Sequence, residues 1–372
     1  MTVLAALAIR TPEFHDDRVF NLPTVRTMRP SLLSMAALWM AAYREGCARG
    51  VRLLTADRVE REGIDPKQVL LVAYDWTPHS RALAKRGARP VVLTSLEPPV
   101  IGWWLYANLP WLSRRFKHVF MFGGARERVA SGVCFHQLLF PLLCPPPPRS
   151  ERLLPWAERR FLVMVNSNKA LPRIRDLPRW FDRPREVSLK RALATLRYPP
   201  IGQDRYVERW QTMEYFSNRS DFDLYGESWQ EKHPAITPRQ YQRTLRAFRG
   251  QAPEKFQLLG GYRFALAYEN SRFPGYVSEK IFDCLYAATI PVYDGAPDVT
   301  DYVPPEAFID ATRFDSPADL EAFLVSVSER RAEEYLAAGQ AFLRSREFEP
   351  WCAQSFAREL IDILVSEAES GG

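Results

Sequence analysis

Short apolar runs separated by helix-length stretches recur along this chain, and that alternation limits the fold more than any other feature. In the first half the runs fall at residues 3–9, 51–56, 69–74, 91–94 and 118–122, with a helix expected over 31–49. Ser31 is placed to cap that helix, and Gly50 to end it before the next strand. Parallel strands need such crossovers, and alternation at this spacing argues for a parallel α/β sheet. It restarts at 161–165 and continues through a helix at 204–216, strands at 222–225, 264–268 and 290–293, and a helix over 277–288. Helices are expected after Ser316 and near the C-terminus.

The expected architecture is therefore two successive Rossmann-like α/β domains, with ligands at the carboxyl ends of the strands. Residues 1–150 form the first, 151–345 the second, and 346–372 a C-terminal helix, with a linker at Pro145, Pro146, Pro147 and Pro148. A chain of 372 residues exceeds one compact core, and 47% hydrophobic with 25% charged residues excludes disordered and collagen-like classes. The net charge of +6 favours anionic partners: a phosphate ester, a nucleic acid or an acidic membrane surface. No apolar run reaches the roughly 20 residues that span a bilayer, and the opening MTVLAALAIR reads as a buried strand. Five widely spaced cysteines without a CxxC pair support neither a disulfide framework nor a zinc site, so a reducing cytoplasm is expected.

The densest polar constellation is FALAYENSRFPGYVSEKIFDCLYAATIPVYDGAP, residues 264–297. It reads as strand, polar loop, helix, strand. Glu269 and Asn270 leave the strand, and Tyr276, Ser278, Glu279 and Lys280 open the helix. A helix N-terminus flanked by a serine and a lysine offers N–H groups, a hydroxyl and an ammonium to a phosphate, while Glu279 can accept from sugar hydroxyls. The alternative is that Glu279 only offsets the helix dipole and Lys280 is a solvated charge.

This stretch resembles the donor-binding motif of the α-1,3/4-fucosyltransferases, glycosyltransferase family 10. That pattern runs F-x-FENS, a short loop, GY-[VI]-[ST]-EK, then an apolar strand ending in G-[AS]-P. The likeness continues through YVPPEAFID at 302–310 and the helix at 314–324. Upstream, NSNK at 166–169, Glu208-Arg209 and FDLYG at 222–226 follow the family's order. It covers the second half of the chain well and the first half only loosely.

The resemblance implies a GT-B fold: two Rossmann-like domains facing a central cleft, the first binding the acceptor and the second GDP-fucose, with inverting transfer. Negative charge gathers on the departing diphosphate in such a reaction, so fixed cations can stabilise it without a metal cofactor. Lys280 and Arg209 match the family's positions for that role. Asn166, Lys169, Asn270, Tyr276, Ser278 and Glu279 are implied at the donor, with Glu279 on fucose or ribose hydroxyls. Without the resemblance, Arg209 reads as a surface arginine on the 204–216 helix. Divalent metal is expected at most to stimulate.

An inverting transferase also needs a base for the acceptor hydroxyl. Glu97, in TSLEPP after the 91–94 strand, is the candidate, matching an E-S-P element with Pro98 in place of serine. A carboxylate held in a rigid proline turn is the alternative. A second departure is Asp294, where the family often has tryptophan or an apolar residue; it alters donor or acceptor preference, or caps the following turn.

Three other signals carry less. Asp221-Phe222-Asp223 spells the metal-binding DxD but lies on a strand pattern; Gly123-Gly124 lacks a phosphate-loop spacing; His118 and His136 have no ligand partners at metal-site intervals. The arginine-rich section 149–209, with Trp156, Trp180 and Tyr198 as stacking residues, admits a nucleic-acid rival, although Asp176, Asp182 and Glu186 dilute its field. The expected protein is a cytoplasmic fucosyltransferase acting on an oligosaccharide or lipid-linked glycan, binding no nucleic acid and peripheral at the inner membrane face. A same-fold transferase using another nucleotide sugar, and a catalytically silent sugar-binding relative, are the alternatives.

Overall fold

The computed structural model describes residues 2–25, 30–140, 154–169, 185–232, 236–252 and 254–370. The proline cluster at 145–148 lies outside the described residues, as does Trp180. The chain divides into two compact units, Met1–Glu97 with Gly102–Cys144 and Glu349–Gly372, and Pro98–Ile101 with Pro145–Phe348.

In the first unit six strands form one sheet: β1 (Val3–Ala8), β2 (Val51–Thr55), β3 (Val69–Tyr74), β4 (Arg89–Thr94), β5 (His118–Met121) and β6 (Cys134–Gln137). Their order is β2-β1-β3-β4-β5-β6, and every pairing is parallel. All six residues of β3 are buried, as expected for a central strand covered on both faces. The Pro30–Ala48 helix ends at Gly50, whose φ of 72° is the left-handed conformation anticipated there. The half-exposed edge strand β6 carries no clean apolar run, so periodicity did not signal it.

The C-terminal helix, Ala353–Glu369, belongs to this unit. Its buried side chains, Ala353, Phe356, Ala357, Leu360, Ile361, Ile363 and Leu364, recur mainly at the three-and-four spacing of one helical face. Trp39 packs at near right angles to Phe356 at 6.1 Å and to Tyr74 at 6.2 Å, joining helix, sheet and helix in one core. Cys352, one residue before this helix, is disulfide-bonded, whereas Cys47, Cys134 and Cys284 are free. The expectation of no disulfide is thereby corrected: spacing along the chain says nothing about which sulfurs tertiary packing brings together.

In the second unit the strands are β7 (Arg160–Val165), β8 (Phe222–Tyr225), β9 (Tyr262–Tyr268), β10 (Ile290–Asp294) and β11 (Ile309–Asp310). The order is β11-β10-β9-β7-β8, again all parallel. The chain adds β8 on one side of β7 and β9 on the other, so its winding reverses between β7 and β9. The crevice outside the carboxyl ends at such a reversal is where open α/β sheets bind ligands. Trp210, Trp229, Phe216, Phe222 and Phe264 fill the core beneath it. Gly226 follows β8 with φ of 146°, and a Cβ there would stand 2.0 Å from the Asn166 carbonyl oxygen, so only glycine fits.

Candidate active site

The carboxyl ends of β7 and β9 collect most of the residues singled out by sequence. Arg209 lies on the Tyr206–Phe216 helix and is fully buried, not a surface arginine. Its Nη1 donates to Asn270 Oδ1 at 3.3 Å and reaches the Tyr268 carbonyl at 3.5 Å, while Nε and Nη2 have no hydrogen-bond partner. Burial pulls its pKa below the usual arginine value, opposed by Tyr206, Tyr276 and Glu269; a guanidinium nevertheless stays charged. The guanidinium lies 4.6 Å over the Tyr206 ring, and its two remaining donors could hold an anion.

Asn270 continues the network, donating from Nδ2 to the Tyr276 hydroxyl at 3.4 Å. Asn166 follows β7; its carbonyl accepts from Trp229 Nε1 at 2.8 Å, and the Lys169 carbonyl accepts from Trp210 Nε1 at 3.3 Å. Two core tryptophans thus hold the 166–169 loop, leaving the Lys169 side chain exposed.

The start of the Glu279–Tyr286 helix is organised by Glu269, which the sequence placed only at a strand end. Glu269 is 0% exposed and accepts from the Ser278 N–H at 2.7 Å, the Ser278 hydroxyl at 2.8 Å and Lys280 Nζ at 2.7 Å. Ser278 is therefore committed to Glu269, and the carboxylate acts as the cap of this helix. Lys280 is held above the ordinary lysine value: burial opposes the charge, but Glu269 and Glu279 outweigh it. Glu279 is held below its ordinary value, since Lys280 and Lys255 overcome burial. Gly295, after β10, lies where a Cβ would meet Tyr293 and Glu269 at 2.2 and 2.5 Å, so the Glu269 anchor depends on glycine there.

In the first unit Glu97 follows β4, its N–H donating to Ser95 Oγ at 3.3 Å and its carbonyl accepting from the Tyr106 hydroxyl at 3.1 Å. At the end of the neighbouring strand β3 stands Asp75, which sequence reasoning overlooked. Tyr74 pairs with Thr94 in the register, which places Asp75 in the same row as Ser95. Asp75 has φ of 61°, its N–H donates to the Thr94 carbonyl at 2.9 Å, and its Oδ1 is buried without a partner. Burial raises its pKa against the opposing influence of Ser95 and Arg10. An aspartate directly after an apolar central strand was the available signal.

The remaining signals resolve structurally. Asp221 is paired to Arg219 at 2.8 Å, and Asp223 accepts from the Tyr262 hydroxyl at 2.7 Å with Arg249 Nε 2.8 Å away. The DxD carboxylates are thus answered by arginines. His118 and His136 are 3.0 Å apart, and the C-terminal helix supplies carboxylates to both: Glu359 at 2.7 Å from His136 and Glu367 at 3.5 Å from His118. Trp156, offered as a stacking residue, packs edge-on against Phe264 at 5.6 Å with Arg263 over its ring.

The profile described as "Glycosyltransferase family 10 (fucosyltransferase) C-term" matches residues 201–343, which include Arg209, Asn270 and Lys280. That stretch is a glycosyltransferase family 10 domain. Among curated relatives, Alpha-(1,4)-fucosyltransferase of Arabidopsis thaliana is 43% identical over 63 residues, 17% of this chain and 16% of the relative. GDP-fucose protein O-fucosyltransferase 3 of Xenopus laevis is 33% identical over 143 residues, 37% of this chain and 28% of the relative. The chain thus spans less than a third of the length of these relatives. A crystal structure of α1,3-fucosyltransferase aligns over 97% of this chain and 90% of its own with a TM-score of 0.52 at 12% identity. A glycosyltransferase from Rickettsia africae ESF-5 aligns over 100% of both chains with a TM-score of 0.58 at 9% identity. These likenesses show the fold, the two Rossmann-like domains of the GT-B class, with the family 10 domain forming most of the second unit.

Proposed function

We propose that this protein is a glycosyltransferase that moves fucose from GDP-fucose to a glycan hydroxyl with inversion, of the α-1,3 type. One observation carries the reading: the buried Arg209 guanidinium, paired to Asn270 and short of two partners, at the winding reversal of a family 10 domain. Its charge suits the diphosphate, and Lys280, 19% exposed beside Glu269, adds a second cation as the leaving group departs. Asn166, Lys169, Asn270, Tyr276 and Glu279 orient the nucleotide sugar, and no metal is required in this scheme. Glu97 removes the acceptor proton. The relatives' names share fucose and differ in acceptor, so the proposal commits to the donor and to a hydroxyl acceptor.

Calorimetry and thermal shift with GDP, GDP-fucose, GDP-mannose, UDP-glucose and a short RNA test this reading. Stabilisation by GDP and GDP-fucose alone is expected. Preference for another nucleotide sugar would keep the fold and change the donor; response to RNA alone would overturn the transferase.

A cytoplasmic location and peripheral attachment to an anionic membrane are part of the proposal. No helix among the described residues is long and apolar enough to cross a membrane. Trp104 and Trp111, 39% and 51% exposed, project from the Trp103–Leu112 helix beside the exposed Arg114 and Arg115, a pairing of interfacial aromatics and cations that suits a lipid surface. The disulfide at Cys352 makes the location testable: protein taken from a reducing compartment titrates all five thiols, and from an oxidising one fewer.

A further inference from the structure

Asp294 ends β10 and is 3% exposed, yet it caps no turn. Its Oδ2 accepts from Arg205 Nη2 at 2.7 Å and Nε at 3.2 Å, and its Oδ1 accepts from Arg272 Nε at 2.8 Å. One carboxylate therefore ties together two arginines that stand 67 positions apart in the chain.

Each arginine lies on a segment that carries a donor-site residue. Arg205 precedes the Tyr206–Phe216 helix, and its carbonyl accepts the Arg209 N–H at 3.0 Å, the bond that opens that helix. The Arg205 N–H donates to the Asn270 carbonyl at 3.0 Å, and Asp204 forms an antiparallel bridge with Ser271. Arg272 lies two residues beyond Asn270 on the same loop. Asp294 thus fixes the helix start that aims Arg209 and the loop that presents Asn270. The 3.3 Å bond between those two residues is where the two arms meet.

We propose that Asp294 is a positioning residue for the nucleotide diphosphate, acting through Arg205 and Arg272 to set the separation of Arg209 and Asn270. The inference rests on the donor reading of this unit. It opposes plain electrostatics: a carboxylate near an anion site lowers affinity through space, and its removal should then tighten binding. Under the clamp, removal leaves two arginines repelling each other, loosens both segments and weakens binding.

The test is GDP affinity by calorimetry on the full chain for wild type, Asp294→Asn, Arg209→Gln and the double variant. A loss of about tenfold in Asp294→Asn is expected, with little further loss when Arg209→Gln is already present, because the clamp works through Arg209. Unchanged or tighter GDP binding in Asp294→Asn, or a fully additive double loss, would overturn the proposal. Should Asp294→Asn melt too low to measure, Arg272→Gln releases one arm, and a smaller loss of GDP affinity is expected; no loss counts against the clamp. Wild-type protein that binds no GDP would remove the donor reading itself, and the clamp's role with it.

Discussion

Lys280 Nζ stands 2.7 Å from Glu269 Oε2, joining a partly exposed lysine to a carboxylate that is 0% exposed. Glu269 also answers the Ser278 N–H and hydroxyl, so it couples the end of β9 to the start of the next helix. Glu269→Gln should lower unfolding free energy by about 3 kcal/mol, because a buried ion pair loses one partner. Lys280→Ala should cost at least as much stability, because it leaves the buried Glu269 carboxylate without its cation, and should also abolish turnover through lost GDP binding. Urea unfolding and GDP calorimetry separate the two effects; a stability loss with intact GDP binding would place Lys280 outside the site.

Glu97→Gln should leave GDP affinity unchanged and lower the rate of fucosyl transfer, as expected for a base that never touches the nucleotide. Steady-state kinetics with saturating GDP-fucose decide it. Unchanged transfer would pass the base role to another group, with Asp75 first in line.

Asp75 carries a signature in pH. Burial raises its folded-state pKa above the ordinary 3.8, so above about pH 4 the folded state holds the proton more tightly than the unfolded chain. Stability from this group is present at low pH and lost as pH rises through the raised value. Asp75→Asn, which tolerates the left-handed backbone, should melt higher than wild type at pH 7, with the gap closing below about pH 4. A variant that melts lower at pH 7 would show the ionised carboxylate to be stabilising.

His118 has the opposite slope. Burial depresses its pKa below 6.5, against the pull of Glu367. The unfolded chain takes up the proton first, so stability is full above about pH 6.5 and falls as pH drops through the depressed folded value. Guanidinium unfolding between pH 7.5 and 5 should show this fall, and His118→Gln should flatten it.

Gly226→Ala should destabilise the protein by more than about 2 kcal/mol, because its Cβ would meet the Asn166 carbonyl at 2.0 Å on a backbone with φ of 146°. Thermal melting reads the loss, and GDP should protect the variant less than wild type, since Asn166 is the atom pushed aside.

The alternation of apolar runs located β3 and β8 to the residue, and β1, β2, β7, β9 and β10 to within one or two. Burial of a central parallel strand demands consecutive apolar side chains, and that demand is written locally in the chain. The weakly buried β6 and the two-residue β11 make no such demand, and periodicity passed over them. The motif at 264–297 likewise marked Asn270, Glu279 and Lys280 as neighbours, because strand, loop and helix there are continuous in sequence. What the alternation could not say is which charges would meet. Arg209 reaches Asn270 across 61 positions, Arg205 reaches Asp294 across 89, and His136 reaches Glu359 across 223. The Cys352 disulfide belongs with them. Hydrophobic periodicity is a property of neighbouring residues and survives in a single sequence. Ion pairs, orphaned buried donors and sulfur pairings depend on distances that exist only after sheets and helices have packed, and for that reason tertiary structure alone decided them.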